Sequence, residues 1–587
     1  MISDSADIRQ VLYSASMKHS DNILKKLFSL SGIADMLVWL VPILMCVPNV
    51  ALSIVEPGYT PAERIANVAL PWGIYTLLMS WSGHSGRSTL LFLPIMILCA
   101  FQIVLLYLYG RSIIAIDMFL NVATTNSREA GELLSNMSQA ILSVCLLYLP
   151  PIVAAVILLK GKARSGKRIR RAAALTGATV LAAGLSCVAV DFIKTGAYPA
   201  DRRLFPANVI HNIVTATERT AATARYFTTS AGFSFSAQAE KSAKAIEDEV
   251  YVLVIGETSR ARNWQLMGYD RPTNPLLSER RNLLAYPLTL SESNTTHKSV
   301  PLLMSGLTSE NFRDSIYLTK SIFTAFNEAG IATAWFSTQQ RNRSFIDFFG
   351  DEAGETRFLV DDGKSHYDDE LCDRLRRYVG SHLGQRLFIV LHTYGSHFNY
   401  RDRYLDDSRV FLPDEYGSAS ADRRRELINA YDNTIVATDR MLDNIIGILD
   451  KSGRASTMLY VSDHGEDIFD DSRLRFLHAS PTPTYWQLHV PMVLWMSDSF
   501  KDAHPEKYRA AEANTKKNVS SSRSVFNTML SLAGISAKRY MPEASLSDNR
   551  YTEPRRLYLN DYNESVPLSC CGMDSLDFRQ LNLYGIK

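Results

Sequence analysis

The chain's strongest constraint is a set of five stretches without a single Asp, Glu, Lys or Arg, at residues 36–55, 65–86, 88–110, 133–159 and 172–190. Each is long enough to cross roughly 30 Å of hydrocarbon as a helix. Five such runs crowded into the first third of 587 residues argue against core helices of a soluble protein. A cleaved leader fits poorly as well, because the first run starts late and four more follow it. The mean hydropathy of −0.05 averages this apolar part with a mixed polar sequence after about residue 246.

Lys and Arg in the connections set the orientation of such spans. Twelve lie on one side (Arg9, Lys18, Lys25, Lys26, Arg87 and seven within residues 160–171) and three on the other (Arg64, Arg111 and Arg128). The N-terminus is therefore expected in the cytoplasm and everything beyond residue 190 outside, which in a bacterium with two membranes is the periplasm. A basic cluster wedged between two spans is a topology anchor touching anionic lipid rather than a nucleic-acid site. The near balance of 62 Lys+Arg against 60 Asp+Glu also gives no reason to expect a nucleic-acid partner. The third connection alternates apolar residues with Asp117, Asn121 and Asn126, which suits a helix near residues 113–132 lying at the outer membrane surface. The expected organisation is a transmembrane domain over residues 1–192, a juxtamembrane connector with a bridging helix over 193–245, and a periplasmic domain over 246–587.

Four of the seven cysteines (Cys46, Cys99, Cys145 and Cys187) fall in the spans, where they behave as small apolar residues. Cys372, Cys570 and Cys571 remain, with a bridge from Cys372 to either of the others, or between the adjacent two, left open. No pair has the C-x-x-C spacing of a thiolate zinc site.

From residue 246 onward, short β-branched runs at 250–257, 331–338, 386–393 and 457–466 alternate with helical stretches at 321–329, 369–383 and 423–449. Buried parallel strands with helical crossovers give an α/β sandwich, whose ligands gather beyond the carboxyl ends of the strands. Glu257 closes the first run, His392 and His397 follow the third, and Asp463 with His464 stands in the fourth. Carboxylate and imidazole groups converging at one sheet edge suit Zn²⁺, which takes such ligands at about 2.0 to 2.2 Å. Gly465 is expected to permit a tight bend there. In SNTTHKSVPLLMSGL, residues 293–307, a polar turn precedes a helix-like apolar run. A threonine at that helix N-terminus could serve as a nucleophile, because the unpaired N–H groups and the helix dipole favour an alkoxide and a bound phosphoryl group. Thr295 and Thr296 both stand in that place.

GETSRARNWQLMGYDRPTNPLL (256–277), TTHKSVPLLMSG (295–306), HTYGSHF (392–398), YVSDHGE (460–466) and LHASP (477–481) resemble, in this order, the periplasmic domain of the bacterial phosphoethanolamine transferases. Those are five-span enzymes of the alkaline phosphatase and sulfatase superfamily, and the IDMFLNVATTN segment is similar to their interfacial loop. The resemblance implies Glu257, Asp463 and His464 as zinc ligands and Thr296 as nucleophile and fourth ligand. It implies His397 and His478 as the pair that binds the phosphoryl group or a second zinc, and Gln339, Gln340 and Arg343 as the headgroup-binding segment. Family members that act on lipid A usually carry cysteines flanking the nucleophile; here Glu292 and Leu302 hold those positions. The acceptor is thus left among lipid A, lipopolysaccharide core sugars, periplasmic glucans and protein.

The implied activity is zinc-dependent transfer of phosphoethanolamine from phosphatidylethanolamine to an envelope acceptor through a phosphoethanolamine-threonine intermediate. A glycerophosphate transferase of the lipoteichoic acid synthase type is disfavoured by the GYDRPTNP run. A zinc phosphodiesterase of the same superfamily stays open. A sulfatase would need a C/S-x-P-x-R motif, absent from the nucleophile segment.

Overall fold

The computed structural model describes residues 29–124, 130–131, 134, 137–240, 248–364 and 366–586. The chain forms two compact units, Met1–Ile114 with Met137–Val214, and Ala115–Asn136 with Thr215–Lys587.

In the first unit the apolar runs are helical. They form α1 (Leu30–Met45), α2 (Val47–Val55), α3 (Pro61–Trp81), α4 (Ser85–Leu91), α5 (Leu93–Tyr109), then α7 (Ser138–Lys160) and α8 (Lys167–Thr195). Among the described residues three helices are long and apolar enough to cross a membrane: Leu30–Val55, Ser138–Lys160 and Lys167–Thr195. The bent pair α4 and α5, meeting at 55°, makes a fourth if it is one span. Helix α3, where a second span is expected, is not among them. It starts ahead of the uncharged run because Thr60 and Glu63 form a reciprocal capping box, which draws Glu63 and Arg64 into its first turn. Glu63 is buried there against Arg203, 2.8 Å away. Deeper in, α3 and α8 approach so closely that a Cβ on Gly73 would lie 2.8 Å from the backbone nitrogen of Leu181, the small-residue packing common between membrane helices.

The segment expected at the membrane surface gives α6 (Ile116–Thr124), which belongs to the second unit; residues 125–129 and 132 of the expected helix lie outside the described residues. Helix α9 (Ala207–Ala224) carries the chain from the first unit into the second.

The second unit is built on a seven-stranded sheet: β1 (Glu249–Gly256), β2 (Leu283–Ala285), β3 (Ala332–Ser337), β4 (Glu355–Phe358), β5 (Leu387–His392), β6 (Ala455–Ser462) and β7 (Met492–Met496), in the order β2-β7-β6-β1-β5-β3-β4. The five strands from β6 to β4 are parallel. The sheet is nevertheless mixed, because β7 runs antiparallel to both β6 and β2. Every residue of β1 is buried, as a central strand covered on both faces requires. Tyr251, Leu253 and Ile255 join a core with α10 (Thr296–Ser305), α11 (Ile322–Glu328) and α14 (Ser521–Leu532), in which Phe326 stacks on Phe388 at 3.9 Å. Helices α12 (Glu370–Ser381) and α13 (Arg424–Ser452) contribute nothing to that core and pack on the sheet as well, completing the α/β sandwich. All seven cysteines are free.

Candidate active site

Three adjacent parallel strands deliver the site. Glu257 follows the last residue of β1, Asp463 and His464 follow β6, and the loop after β5 carries His397. The chain turns sharply after Glu257 because Thr258 takes a left-handed conformation, φ +60°, rare for a β-branched residue. That turn is held by both carboxylates: Thr258 donates its hydroxyl to Glu257 Oε1 at 2.6 Å and its N–H to Asp463 Oδ1 at 3.1 Å. Gly395 backs Glu257 from the β5 loop, also with positive φ, and a Cβ there would stand 2.6 Å from the Glu257 carbonyl oxygen. Asp368 fixes that loop by accepting the N–H groups of Tyr394 and Gly395, each at 2.8 Å.

Thr296 opens α10, and its Oγ1 lies 3.3 Å from both carboxylate oxygens of Glu257 and 3.0 Å from His464 Nε2. His464 Nε2 is in turn 3.3 Å from Asp463 Oδ2 and 3.6 Å from Glu257 Oε1. Thr295 sits one residue back in extended conformation with its hydroxyl 3.2 Å from Ser293 Oγ. The geometry therefore brings Thr296, rather than Thr295, to the carboxylates. A ligand atom of His478 joins those of Glu257 and His464, all within 4.8 Å of one another. The His478 ring lies 4.3 Å from that of His464 and 6.0 Å from that of His397, centroid to centroid.

The donor chemistry fits a divalent cation. Glu257 and Asp463 are buried, and among the described residues neither has a Lys or Arg partner. Two buried carboxylates that share one imidazole cost several kcal/mol unless a further cation is supplied. Accordingly, burial raises the Asp463 carboxyl above its ordinary range, against the opposing pull of His464. His464 Nδ1 faces the Gly465 carbonyl at 3.0 Å and His397 Nδ1 faces the Phe398 carbonyl at 2.7 Å. A carbonyl only accepts, so both rings carry a proton on Nδ1, which leaves Nε2 as the atom that can ligate metal or exchange a proton. Burial lowers His397 and His478 to about 3, so both are neutral at ordinary pH.

The segment after β3 splits. Gln339 donates to Glu257 Oε2 at 3.0 Å and to the Thr393 carbonyl at 2.8 Å. Arg343 lines a cavity of about 560 Å³ with His297, Lys298, Phe312, Phe345 and Phe348. Gln340 joins neither; it lines a small cavity beside His366 and Tyr367. Sequence reasoning passed over Glu466, which holds His478 Nδ1 at 2.8 Å through Oε2 and receives the Tyr400 hydroxyl on Oε1. Its signal was its place in the SDHGE run, three residues after Asp463. Gly465 differs from expectation too. Its φ is not positive, and glycine is needed because a Cβ would lie 2.2 Å from the Trp486 carbonyl oxygen.

A family model described as Sulfatase matches residues 249–535. The phosphoethanolamine transferase EptA of Escherichia coli (strain K12) is 30% identical over 299 residues, 49% of this chain and 54% of that protein. The Kdo(2)-lipid A phosphoethanolamine 7''-transferase of the same strain is 24% identical over 312 residues, 52% of this chain and 54% of that protein. The chain thus spans about half the length of the curated relatives it matches. Among solved structures, the integral membrane protein lipooligosaccharide phosphoethanolamine transferase A from Neisseria meningitidis superposes with a TM-score of 0.68 at 20% identity, covering 88% of this chain and 99% of that one. The C-terminal periplasmic domain of EcEptC from Escherichia coli, in complex with Zn, gives 0.51 at 23% identity over 57% of this chain and 96% of that one. Residues 249–535 are thus similar to the sulfatases, the likeness to the phosphoethanolamine transferases carried by the sequence motifs recurs in the curated relatives, and the solved structures share the fold.

Proposed function

We propose that this chain is a zinc-dependent transferase that moves phosphoethanolamine from phosphatidylethanolamine to an envelope acceptor, with Thr296 as the nucleophile. One observation carries the reading: the hydroxyl that opens α10 lies within 3.3 Å of Glu257 and His464 beside two buried carboxylates that, among the described residues, have no Lys or Arg partner. Glu257, Asp463, His464 and Thr296 would hold one Zn²⁺, and His397 and His478 stand ready for the phosphoryl group or a second ion. The ion, when bound, supplies positive charge that lowers the hydroxyl's pKa and shields the phosphodiester.

The residues do the rest. Thr296 Oγ1 attacks phosphorus and diacylglycerol leaves, while the unpaired N–H groups at the start of α10 favour the phosphoryl oxygens. With its proton held on Nδ1, His397 can take a proton on Nε2 from the acceptor hydroxyl as that hydroxyl attacks the threonine adduct in line, breaking the bond from phosphorus to Thr296 Oγ1 and returning the threonine to its hydroxyl form once it regains a proton. Gln339 steadies Glu257, and Arg343 supplies a cation to the wall of the neighbouring cavity, where a phosphate-bearing headgroup would enter. The relative named for Kdo(2)-lipid A makes a lipopolysaccharide acceptor the favoured class. The same reading has residues 1–192 as a five-span domain with a cytoplasmic N-terminus, 193–245 as connector, and 246–587 in the periplasm, within reach of a donor that stays in the bilayer.

The test is covalent. Protein incubated with phosphatidylethanolamine and no acceptor should gain roughly 123 Da on the Thr296 peptide. Thr296→Ala should abolish transfer, Thr296→Ser should keep part of it, and Thr295→Ala should remain active. An adduct on Thr295 would shift the nucleophile by one residue. Cleavage of the lipid with no adduct on either would make the protein a phosphodiesterase.

A further inference from the structure

One buried charge cluster beside the nucleophile takes no step in the chemistry above, although Lys298 and His297 also line the cavity that Arg343 lines. Lys298 lies in the first turn of α10, 2% exposed, and its backbone N–H closes that turn onto the Thr295 carbonyl at 3.1 Å. Its ammonium reaches Asp117 Oδ2 at 2.5 Å and the Asn560 carbonyl at 2.6 Å. Asp117, 1% exposed, stands on α6, the helix between the apolar helices α5 and α7. Its other oxygen faces Arg219 at 3.5 Å and His297 Nε2 at 3.6 Å, and Arg219 also donates to the Asp561 carbonyl at 2.9 Å. All of these residues belong to the second unit.

A buried ion pair is a poor device for stability, since an apolar pair of the same size would hold the fold as well. What it fixes is geometry, because breaking it strands a charge. Resting on the assignment of Thr296 as nucleophile, we infer that the Asp117–Lys298 pair is a positioning device. It ties the turn that carries Thr296 to α6, so that the attacking oxygen is held against Glu257 and His464. Burial alone would raise the Asp117 carboxyl, but Lys298, His297 and a side-chain hydrogen bond with Asp561 more than offset this and lower it, as such a tether requires. Asp117 and Lys298 are positioning residues: neither is within reach of the Thr296 hydroxyl by any contact of the site, and they act through the helix turn.

The experiment uses the full chain in nanodiscs containing phosphatidylethanolamine, and reads the single-turnover rate of the Thr296 adduct against donor concentration. The double variant Asp117→Asn with Lys298→Gln keeps size and removes both charges of the pair together, leaving Arg219 to face Asp561. It should retain zinc and fold, form the adduct at least about tenfold more slowly at saturating donor, and leave the half-saturating donor concentration within about twofold, because misplacement of a reacting group costs rate rather than binding. Lys298→Arg, which keeps the charge, should retain most of the rate. A wild-type rate in the double variant, a loss expressed only in donor binding, or a Lys298→Arg variant that loses most of the rate would overturn the inference. Should the double variant not fold, the Lys298→Arg result decides alone. A wild-type protein that forms no Thr296 adduct removes the nucleophile assignment and this inference together; an adduct in the wild type with an unimpaired double variant removes the inference only.

Discussion

Replacing Gly395 by alanine separates backbone strain from damage to the site, because Gly384 provides a matched control. Both glycines have positive φ, +52° and +72°, and either alanine would carry the left-handed penalty of about 1 kcal/mol. They differ in surroundings. A Cβ at Gly384 meets nothing within 4 Å, whereas at Gly395 it would stand 2.6 Å from the Glu257 carbonyl oxygen and 2.9 Å from its nitrogen. Real Cβ atoms essentially never approach below 3.0 Å, so Glu257 or the β5 loop must yield by about 0.4 Å, close to the tolerance of roughly 0.5 Å within which a site must be held. The loop cannot yield freely, since Asp368 holds Tyr394 and Gly395 and Ser396 N–H binds the Glu257 carbonyl at 2.9 Å. The Glu257 carboxylate therefore moves. Gly384→Ala should lower stability by about 1 kcal/mol and leave the rate of adduct formation unchanged. Gly395→Ala should lower stability further, weaken zinc retention, and slow adduct formation by roughly tenfold or more. Thermal melts, zinc titration and single-turnover rates on the three proteins make the comparison. If Gly395→Ala forms the adduct as fast as Gly384→Ala, the β5 loop does not support Glu257 and the site is held some other way.

Stripping the protein with a chelator should lower its melting midpoint, and zinc at a hundredfold excess over its dissociation constant should restore about 2.7 kcal/mol. Elemental analysis showing less than about half a zinc per chain, with another metal restoring activity better, would refute the ion's identity. Burial lowers His489 to about 4 from its ordinary 6.5, with Nε2 on the Pro287 carbonyl and Nδ1 on the Tyr485 hydroxyl. The unfolded chain therefore binds more protons between those values, so this contribution is complete above 6.5 and is lost as pH falls toward 4. Between pH 7 and pH 5 it should amount to about 2 kcal/mol, and His489→Gln should remove that part of the slope; an unchanged slope in denaturant melts would refute it. A reporter fused after Arg171 should be cytoplasmic and one after Ala200 periplasmic, and finding both on one side would remove the last crossing.

The convergence of Glu257, Asp463 and His464 was legible because these residues stand directly after buried apolar strands, where a parallel sheet presents its functional groups. Strand pairing was less so. The run that forms β7 is as apolar as its parallel neighbours, and only the loop leading to it sets its direction. Helix α3 carried a readable signal that the uncharged-window argument passed over: Thr60-Pro61-Ala62-Glu63 is a capping box, which starts the helix before the apolar run and brings charge into it. The roles of Asp368 and Glu466 rest on partners 26 and 66 positions away, a distance no local pattern spans.

Lys298 shows the boundary most clearly. The start of a helix has a positive end, and a cation in its first turn is disfavoured by roughly 0.3 to 1 kcal/mol before any cost of burial. The sequence places His297 and Lys298 there with no acid in the same turn, so the anomaly is visible and implies a compensating carboxylate. The helix cannot supply it. The carboxylate comes from Asp117, 181 positions earlier in a segment whose mixed apolar and polar pattern reads as a membrane-surface helix. Composition reveals that a charge needs an answer, and only the fold reveals that the answering group stands on the helix between two apolar helices, on the far side of the connector from Lys298 in sequence and against it in space.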